Sequence, residues 1–513
     1  MTVNVTTETH ETYLNQNTHR KSLIIITIML VAILEVLDST IVNVALPNMM
    51  PSLSANQDQI TWVLTSYIVA AAMMLPLTGF LSHRLGIKKL LLIDIAGFML
   101  SSFLCGTANH LNMMVFYRLL QGGFGAALIP LSQSILRDSF RPEEQGKAMS
   151  IWGLGIMAAP VFGPTIGGYI VSHSSWRWIF YLNAPICFLA LLMTIAVIPK
   201  SQTSKAKTDY LGIILMFAGI GCLQLFLDQG NSNDWFSSNM ILLLSVISAF
   251  CLILFIIRSV GHQTPVITLS IFKDHNFSIC TVLLAIFCGC LFGFVTLQPI
   301  MLENLFGYTP LIAGETMISI GLASATSMIF SAPLISRVDI KFLLTFSLLF
   351  SAAGIYYFST LDLNAAQFHF IVGDLLFGFG MGFFMVPLTT YSLATLPQKD
   401  ITEGAGLYSY GRMLGTSIGV SLLSTLVSRE TQANWLQLGA HVNPFNNNLR
   451  LWLAHQHLSI HSPQAIAELQ TQVAAQASMI AFIDAYRLIS VVLMILIPII
   501  FLLKRVTLTS RES

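Results

Sequence analysis

Residues Leu34–Met49 read LEVLDSTIVNVALPNM, and this stretch decides the fold class. Two carboxylates, Glu35 and Asp38, stand inside an apolar run that begins near Ser22. A helix needs about 20 apolar residues to cross the roughly 30 Å hydrocarbon core of a bilayer. An ionisable group at that depth costs about 2.5–3.5 kcal/mol on insertion scales, so it marks a functional position. Glu35 and Asp38 are three residues apart and share a helical face. A carboxyl stripped of water holds its proton more tightly, and two neighbouring carboxyls oppose each other's ionisation. Asp38 is therefore expected to carry protons with Glu35 assisting; an Asp paired or capped for structure alone is the competing reading.

Working outward, apolar runs and their polar interruptions give about fourteen spans. They fall near 22–47, 60–82, 89–108, 111–136, 146–171, 176–198, 209–229, 238–259, 275–299, 312–333, 340–360, 366–396, 403–428 and 480–503. Hydrophobic residues make up 55% of the chain and charged residues 10%, against roughly 25% charged in soluble domains. These figures exclude a soluble globular protein. Residues 1–21 form a polar tail without the apolar core of a signal peptide.

Of the 25 Lys and Arg, all except Arg118, Arg177, Arg412, Arg429, Arg450 and Arg487 fall in the two terminal tails or next to alternate span ends. By the positive-inside rule both termini are cytoplasmic, which an even number of spans requires. The seven cysteines lie inside predicted spans and read as packing thiols rather than a disulfide framework. His441, His455, His457 and His461 lie in the predicted outer loop 429–478, where a solvated loop is expected rather than a metal site. No cofactor, metal or nucleic-acid partner is expected.

Internal correspondence gives the organisation. Gly155, Ala159, Gly163 and Gly167 recur every fourth residue in span five, as do Gly411, Gly415 and Gly419 in span thirteen. Small residues at that spacing let a second helix approach closely, where lipid supplies no hydrophobic drive. Span four reads RLLQGGFGAALIPL from Arg118, and span twelve reads DLLFGFGMGFFMVPL from Asp374. Each starts with a charge, has Gly four residues on (Gly122, Gly378), and ends in Pro-Leu. The offset fits two six-helix bundles separated by an inserted pair. The expected order is a tail (1–21), a first bundle (22–198), a linker with the inserted pair (199–274), a second bundle with its outer loop (275–504), and a tail (505–513).

Arg118 shares a face with Gln121, Gly122 and Gly125. A membrane Arg needs an acceptor, and one beside a carboxyl lowers that carboxyl's proton affinity, so proton and substrate can compete for one site. Structural pairing is the rival. GFLSHRLGIKK joins spans two and three, where Gly79 and Gly86 permit a tight reversal. Arg84, Lys88 and Lys89 can bond helix-end carbonyls or lipid headgroups.

Together these residues resemble the major facilitator superfamily, specifically its fourteen-span drug:proton antiporters of the EmrB and QacA type. The likeness runs along nearly the whole chain. Its most specific stretches are LDSTIVNVALPNM, RLLQGGFGAA, GLGIMAAPVFGPTIGGYI (Gly153–Ile170) and WRWIFYLNAP (Trp176–Pro185). VNPFNNN at Val442–Asn448 resembles the EmrB branch. The resemblance implies an all-α major facilitator fold in the bacterial inner membrane and proton-driven export of small amphipathic compounds. It also implies a periplasmic adaptor like EmrA and an outer-membrane channel. It places the proton-coupling Asp on Asp38, the span-four Arg on Arg118, and the Gly-Pro pair on Gly163 and Pro164, with Gly155 and Gly167 in the same antiporter motif. Gln121, Asp374 and Arg412 are the expected substrate-cavity residues.

Two departures stand out. The gate loop carries His83 where the family usually has Asp, and Ile87 where it usually has a basic residue, which points to a weaker or pH-sensitive latch. Asp374 stands where related exporters commonly carry a basic residue, favouring cationic substrates or adding a proton site. Export of one dedicated product, such as a siderophore or fatty acid, is the second transport reading; a receptor without flux is a third. An embedded enzyme would need a nucleophile or metal constellation such as HExxH or a nucleophile elbow, and none is expected. The chain has no GxxxxGK[ST] phosphate loop, so an ion gradient is the expected energy source.

Overall fold

The computed structural model describes residues 18–199, 209–262, 265–335, 337–397, 400–443, 445–455 and 462–504. The linker Lys200–Thr208, the tail after Lys504, and His457 and His461 lie outside them. Every long element among the described residues is helical. The first half runs α1 (Thr18–Leu53), α2 (Trp62–Met74), α3 (Thr78–Leu85), α4 (Ile87–Thr107), α5 (Leu111–Gly125), α6 (Leu128–Ser139), α7 (Pro142–His173) and α8 (Asn183–Val197). Then come α9 (Tyr210–Gln229) and α10 (Asn239–Gly261). The rest is α11 (His275–Phe306), α12 (Pro310–Leu334), α13 (Ile340–Phe358), α14 (Gln367–Ala394), α15 (Ile401–Ala440), α16 (Asn447–His455) and α17 (Pro463–Ile500).

Among the described residues twelve segments are long and apolar enough to cross a membrane, with α2 running on into α3 and α5 into α6. The expected fifth and thirteenth spans fall on α7 and α15, which are not among the twelve. Both are long helices, of 32 and 40 residues. In α15, Arg412 and the glycine and hydroxyl residues around it dilute the hydropathy.

The small-residue ladders choose the helix pairs. A Cβ on Gly155 would strike Met29, one on Gly163 would strike the Thr40 hydroxyl, and one on Gly167 would strike Ile41. Thus α7 lies against α1. In the second half a Cβ on Gly411 would meet Thr281, one on Gly415 the Ala285 carbonyl, and one on Gly419 the backbone of Gly289. There α15 lies against α11. The span-four and span-twelve glycines also match. Gly122 presses on the Tyr67 carbonyl of α2, and Gly378 on the Ile320 carbonyl of α12. The sequence correspondence therefore reappears as corresponding backbone contacts.

The halves meet at the Lys- and Arg-rich ends of their helices. Ser134 of α6 and Thr402 of α15 share a 2.6 Å hydrogen bond. Gly406 lies on the Leu75 carbonyl, and Gly153 faces Met328 and Val386. Helix α9 spans the seam on one flank. Asp228 accepts from Thr65 of α2, while Gln224 donates to Ser417 of α15 at 2.7 Å and Ser421 donates to the Leu227 carbonyl at 2.7 Å.

Segment 429–478 differs from the expected open loop: α15 continues to Ala440, α16 follows, and α17 already begins at Pro463. At about 1.5 Å per residue, the 40-residue α15 and 38-residue α17 are each nearly twice as long as the hydrocarbon core is thick. Ala-, Gln- and Leu-rich sequence supports helix there, and Leu449 and Leu453 of α16 pack on Ala465.

Candidate functional site

The centre of the first half is a wholly buried polar cluster built by four helices. Asp38 of α1, Arg118 and Gln121 of α5, and Asn183 of α8 are all 0% exposed. Arg118 Nη1 donates to Asp38 Oδ2 at 2.5 Å, and Gln121 Nε2 donates to Oδ1 at 2.9 Å. Asn183 Nδ2 donates to the same Oδ1 at 2.7 Å and to Ser102 of α4 at 3.0 Å. Arg118 is itself held by Nε donating to the Val63 carbonyl at 3.0 Å and Nη1 to Gln121 Oε1 at 2.8 Å. Its guanidinium carbon lies 4.3 Å from the Tyr67 ring centroid, close enough for cation–π attraction.

The cluster has an open side. Arg118 Nη2 and the Tyr67 hydroxyl are buried without a hydrogen-bond partner. A cavity of about 90 Å³ lies beside them, lined by Ser39, Asn43, Leu64, Tyr67, Ile68 and Arg118.

Asp38, Arg118 and Gln121 thus come together, while Glu35 does not join them. One Glu35 oxygen is buried without a hydrogen bond, and the charge that acts on it is Arg412 of α15, across the seam. Both acids nonetheless act electrostatically on the Tyr67 phenol, while Asp38 alone of the two is bonded to Arg118. Asn183 and Ser102 were not singled out from sequence; an Asn opening an apolar span, within WRWIFYLNAP, was the available signal. Asp94 of α4 was missed too: it is 6% exposed, and Oδ2 has no hydrogen-bond partner.

Asp374 lies apart, in the second half. It is 0% exposed and accepts from Gln298 Nε2 of α11 at 2.9 Å on each oxygen. Ser319 of α12 donates to it at 3.4 Å.

The gate loop forms a helix-turn-helix. Gly86, at φ +84°, makes the reversal between α3 and α4, a conformation that favours glycine. Gly79 packs on Glu403 of α15, whose carboxylate accepts from the Thr268 amide. His83 acts electrostatically on the same carboxylate. Lys88 Nζ donates to the Ile195 carbonyl at 2.7 Å, capping the end of α8. Arg84 and Lys89 are exposed. Pro164 is a helical position of α7 whose side chain lies outside the described part.

The GxSxG spacing does occur, at Gly415–Gly419, which corrects the expectation that no such segment exists. A nucleophile elbow needs a strand-to-helix turn; here the segment lies inside continuous α15, with Ser417 bonded to Gln224.

The profile of the Major Facilitator Superfamily matches residues 28–420. The chain belongs to that superfamily. Within it the chain is of the EmrB type. It is 35% identical over 482 residues to the fatty acid resistance protein FarB of Neisseria gonorrhoeae, covering 93% of this chain and 94% of that one. It is 32% identical over 491 residues to the multidrug export protein EmrB of Escherichia coli K12, again covering 93% and 94%. The major facilitator fold is also evident against the human organic anion transporter MFSD10, with a TM-score of 0.60 at 15% identity over 93% of this chain and all (100%) of that one. The proton:xylose symporter XylE gives 0.59 at 14% identity over 92% of this chain and 97% of that one.

Proposed function

We propose that this chain is a proton-coupled antiporter that exports amphipathic, toxic compounds across the bacterial inner membrane. The observation that carries the reading is the buried Asp38–Arg118 pair, 2.5 Å apart and open on one side to a small, mostly apolar cavity beside Tyr67 and Asn43. A proton reaching Asp38 cancels the charge that holds Arg118. The guanidinium, with Nη2 and the Tyr67 hydroxyl turned to the cavity, then changes what the cavity attracts. Proton uptake and cargo binding are thereby exclusive, as antiport requires. Glu35 and Arg412, facing each other across the seam, serve as secondary coupling groups, and Gln121 orients the pair.

The remaining parts of the reading fit this role. Fourteen spans with both termini cytoplasmic put the Ser134–Thr402 and Gly79–Glu403 contacts on the cytoplasmic side, where they close the seam. The two six-helix bundles, each held together by its own small-residue pair (α7–α1 and α15–α11), rock against each other along the seam where α7 meets α12 and α14, and α9 and α10 are the inserted pair. The helices α15 to α17 project into the periplasm, where an adaptor and an outer-membrane channel carry cargo onward. One charge crossing about 100 mV gains about 2.3 kcal/mol, and a tenfold gradient costs about 1.4 kcal/mol. One net charge thus supports roughly fiftyfold accumulation.

The test uses purified protein in liposomes with a fluorescent cationic dye. Dye should move with an imposed pH gradient and stop when a protonophore collapses it. Movement that tracks sodium instead would overturn the coupling. A second reading, dedicated export of fatty acids, draws on the name of the gonococcal relative. Susceptibility profiling of expressing cells against dyes and long-chain fatty acids separates the two.

A further inference from the structure

We propose that Asp374 is a second proton-binding site, in the second half of the molecule, where it rests as a neutral carboxylic acid paired with the Gln298 amide. The first half supplies the contrast. Asp38 is fully buried but receives a guanidinium and two amide donors. Asp374 is equally buried and receives only neutral donors, from Gln298 and Ser319. Among the described residues no cation lies within ion-pair distance of it, and no charged group of α7, α11, α12, α13 or α15 acts on it. Glu303 of α11 and Glu315 of α12 are exposed. The one other titratable group that senses Asp374 is the Tyr486 phenol of α17. A buried carboxylate without a counter-ion is the arrangement that proteins avoid by taking up a proton.

A second, independent observation points the same way. Gln298 Oε1 is buried and has no hydrogen-bond partner. A carboxylate offers only acceptors, so it leaves that oxygen unsatisfied; a carboxylic acid has one O–H to give. With Asp374 protonated, the acid O–H donates to Gln298 Oε1 while Gln298 Nε2 donates to the other carboxyl oxygen. A small rotation of the amide converts the present double contact at 2.9 Å into that closed pair.

The backbone contacts of Gly122 on Tyr67 and Gly378 on Ile320 set Asp374 at the position equivalent to Arg118. Where one half has a permanent cation, the other has a removable proton. Under the antiport reading, on which this consequence alone rests, the chain can move two protons per cycle, one in each half.

Infrared difference spectroscopy of the purified full chain in lipid nanodiscs tests the site without cargo. At neutral pH the carboxylic-acid C=O band should be lost in Asp374→Asn, which keeps the side-chain shape, and retained in Asp38→Asn. A spectrum in which Asp374→Asn removes a carboxylate band instead, or removes nothing, overturns the proposal. Gln298→Leu gives a separate reading: the acid band should shift to that of an acid without an amide partner, and an unmoved band overturns the pairing. In liposomes, protons exchanged per dye should fall by one in Asp374→Asn, and an unchanged count overturns the two-proton consequence. If the band is present but no proton coupling is found in the wild-type chain, the site stands and the antiport reading falls.

Discussion

Replacing Asp38 by Asn perturbs the centre of the first half most directly. The Asn side chain keeps the shape but offers one acceptor oxygen where two now receive three donors, from Arg118, Gln121 and Asn183. Whichever way the amide turns, its NH2 faces an existing donor, and Arg118 loses its ion-pair partner Asp38 while remaining 0% exposed. Breaking a buried pair from one side costs about 3–5 kcal/mol, because an uncompensated charge is left behind. At about 1.4 kcal/mol per decade, that is roughly two to four orders of magnitude in the unfolding equilibrium. The cost belongs to the stranded charge, so Asp38→Asn with Arg118→Gln should be more stable than Asp38→Asn alone, although neither should transport. A thiol-reactive fluorophore reports the melting well, since buried Cys105 lies 3.5 Å from Gln121 and reacts only once the cluster opens. Melting of the double variant at the temperature expected from adding the two single losses would refute the reasoning.

Arg118→Lys keeps the charge but loses the fork that reaches Val63, Asp38 and Gln121 at once; dye efflux should fall at least about tenfold, and normal efflux would make the residue dispensable. Gly163→Leu drives a side chain into Thr40 of α1; transport should fail while membrane insertion, read by protease accessibility, stays unchanged. His83→Asp restores the residue usual in the family but sets an acid beside Glu403 in place of the imidazole that acts on it; because the partner here is a carboxylate, the seam should loosen rather than tighten, and a reporter Ser134→Cys should label faster from the cytoplasmic side.

Much of this was legible in the chain because membrane sequence is strict. Polar residues inside apolar runs are so costly that Asp38, Arg118 and Asp374 announce themselves, and glycines every fourth residue specify a close helix contact before its partner is known. Partner identity was the part that stayed hidden. Asn183 approaches Asp38 from 145 positions away in sequence, and Gln298 approaches Asp374 from 76; no periodicity marks such pairs. The same limit explains Glu35. Spacing put it on Asp38's face, but side-chain direction turned it toward α15. Hydropathy likewise under-read α15 and α17, whose outer turns are polar and mostly exposed and resemble a loop unless the helix propensity of their Ala, Gln and Leu residues is weighed.

The position of α9 makes the molecule lopsided. Polar bonds from Gln224, Leu227 and Asp228 fasten one flank of the seam to both halves, whereas on the other Gly153 meets Met328 and Val386 through apolar contact. A book bound along one edge opens along the opposite one. If the halves part sideways, the flank between α7 and α12 is the one that opens without first breaking the α9 bonds, which would give a cargo's route through the membrane plane a compass direction.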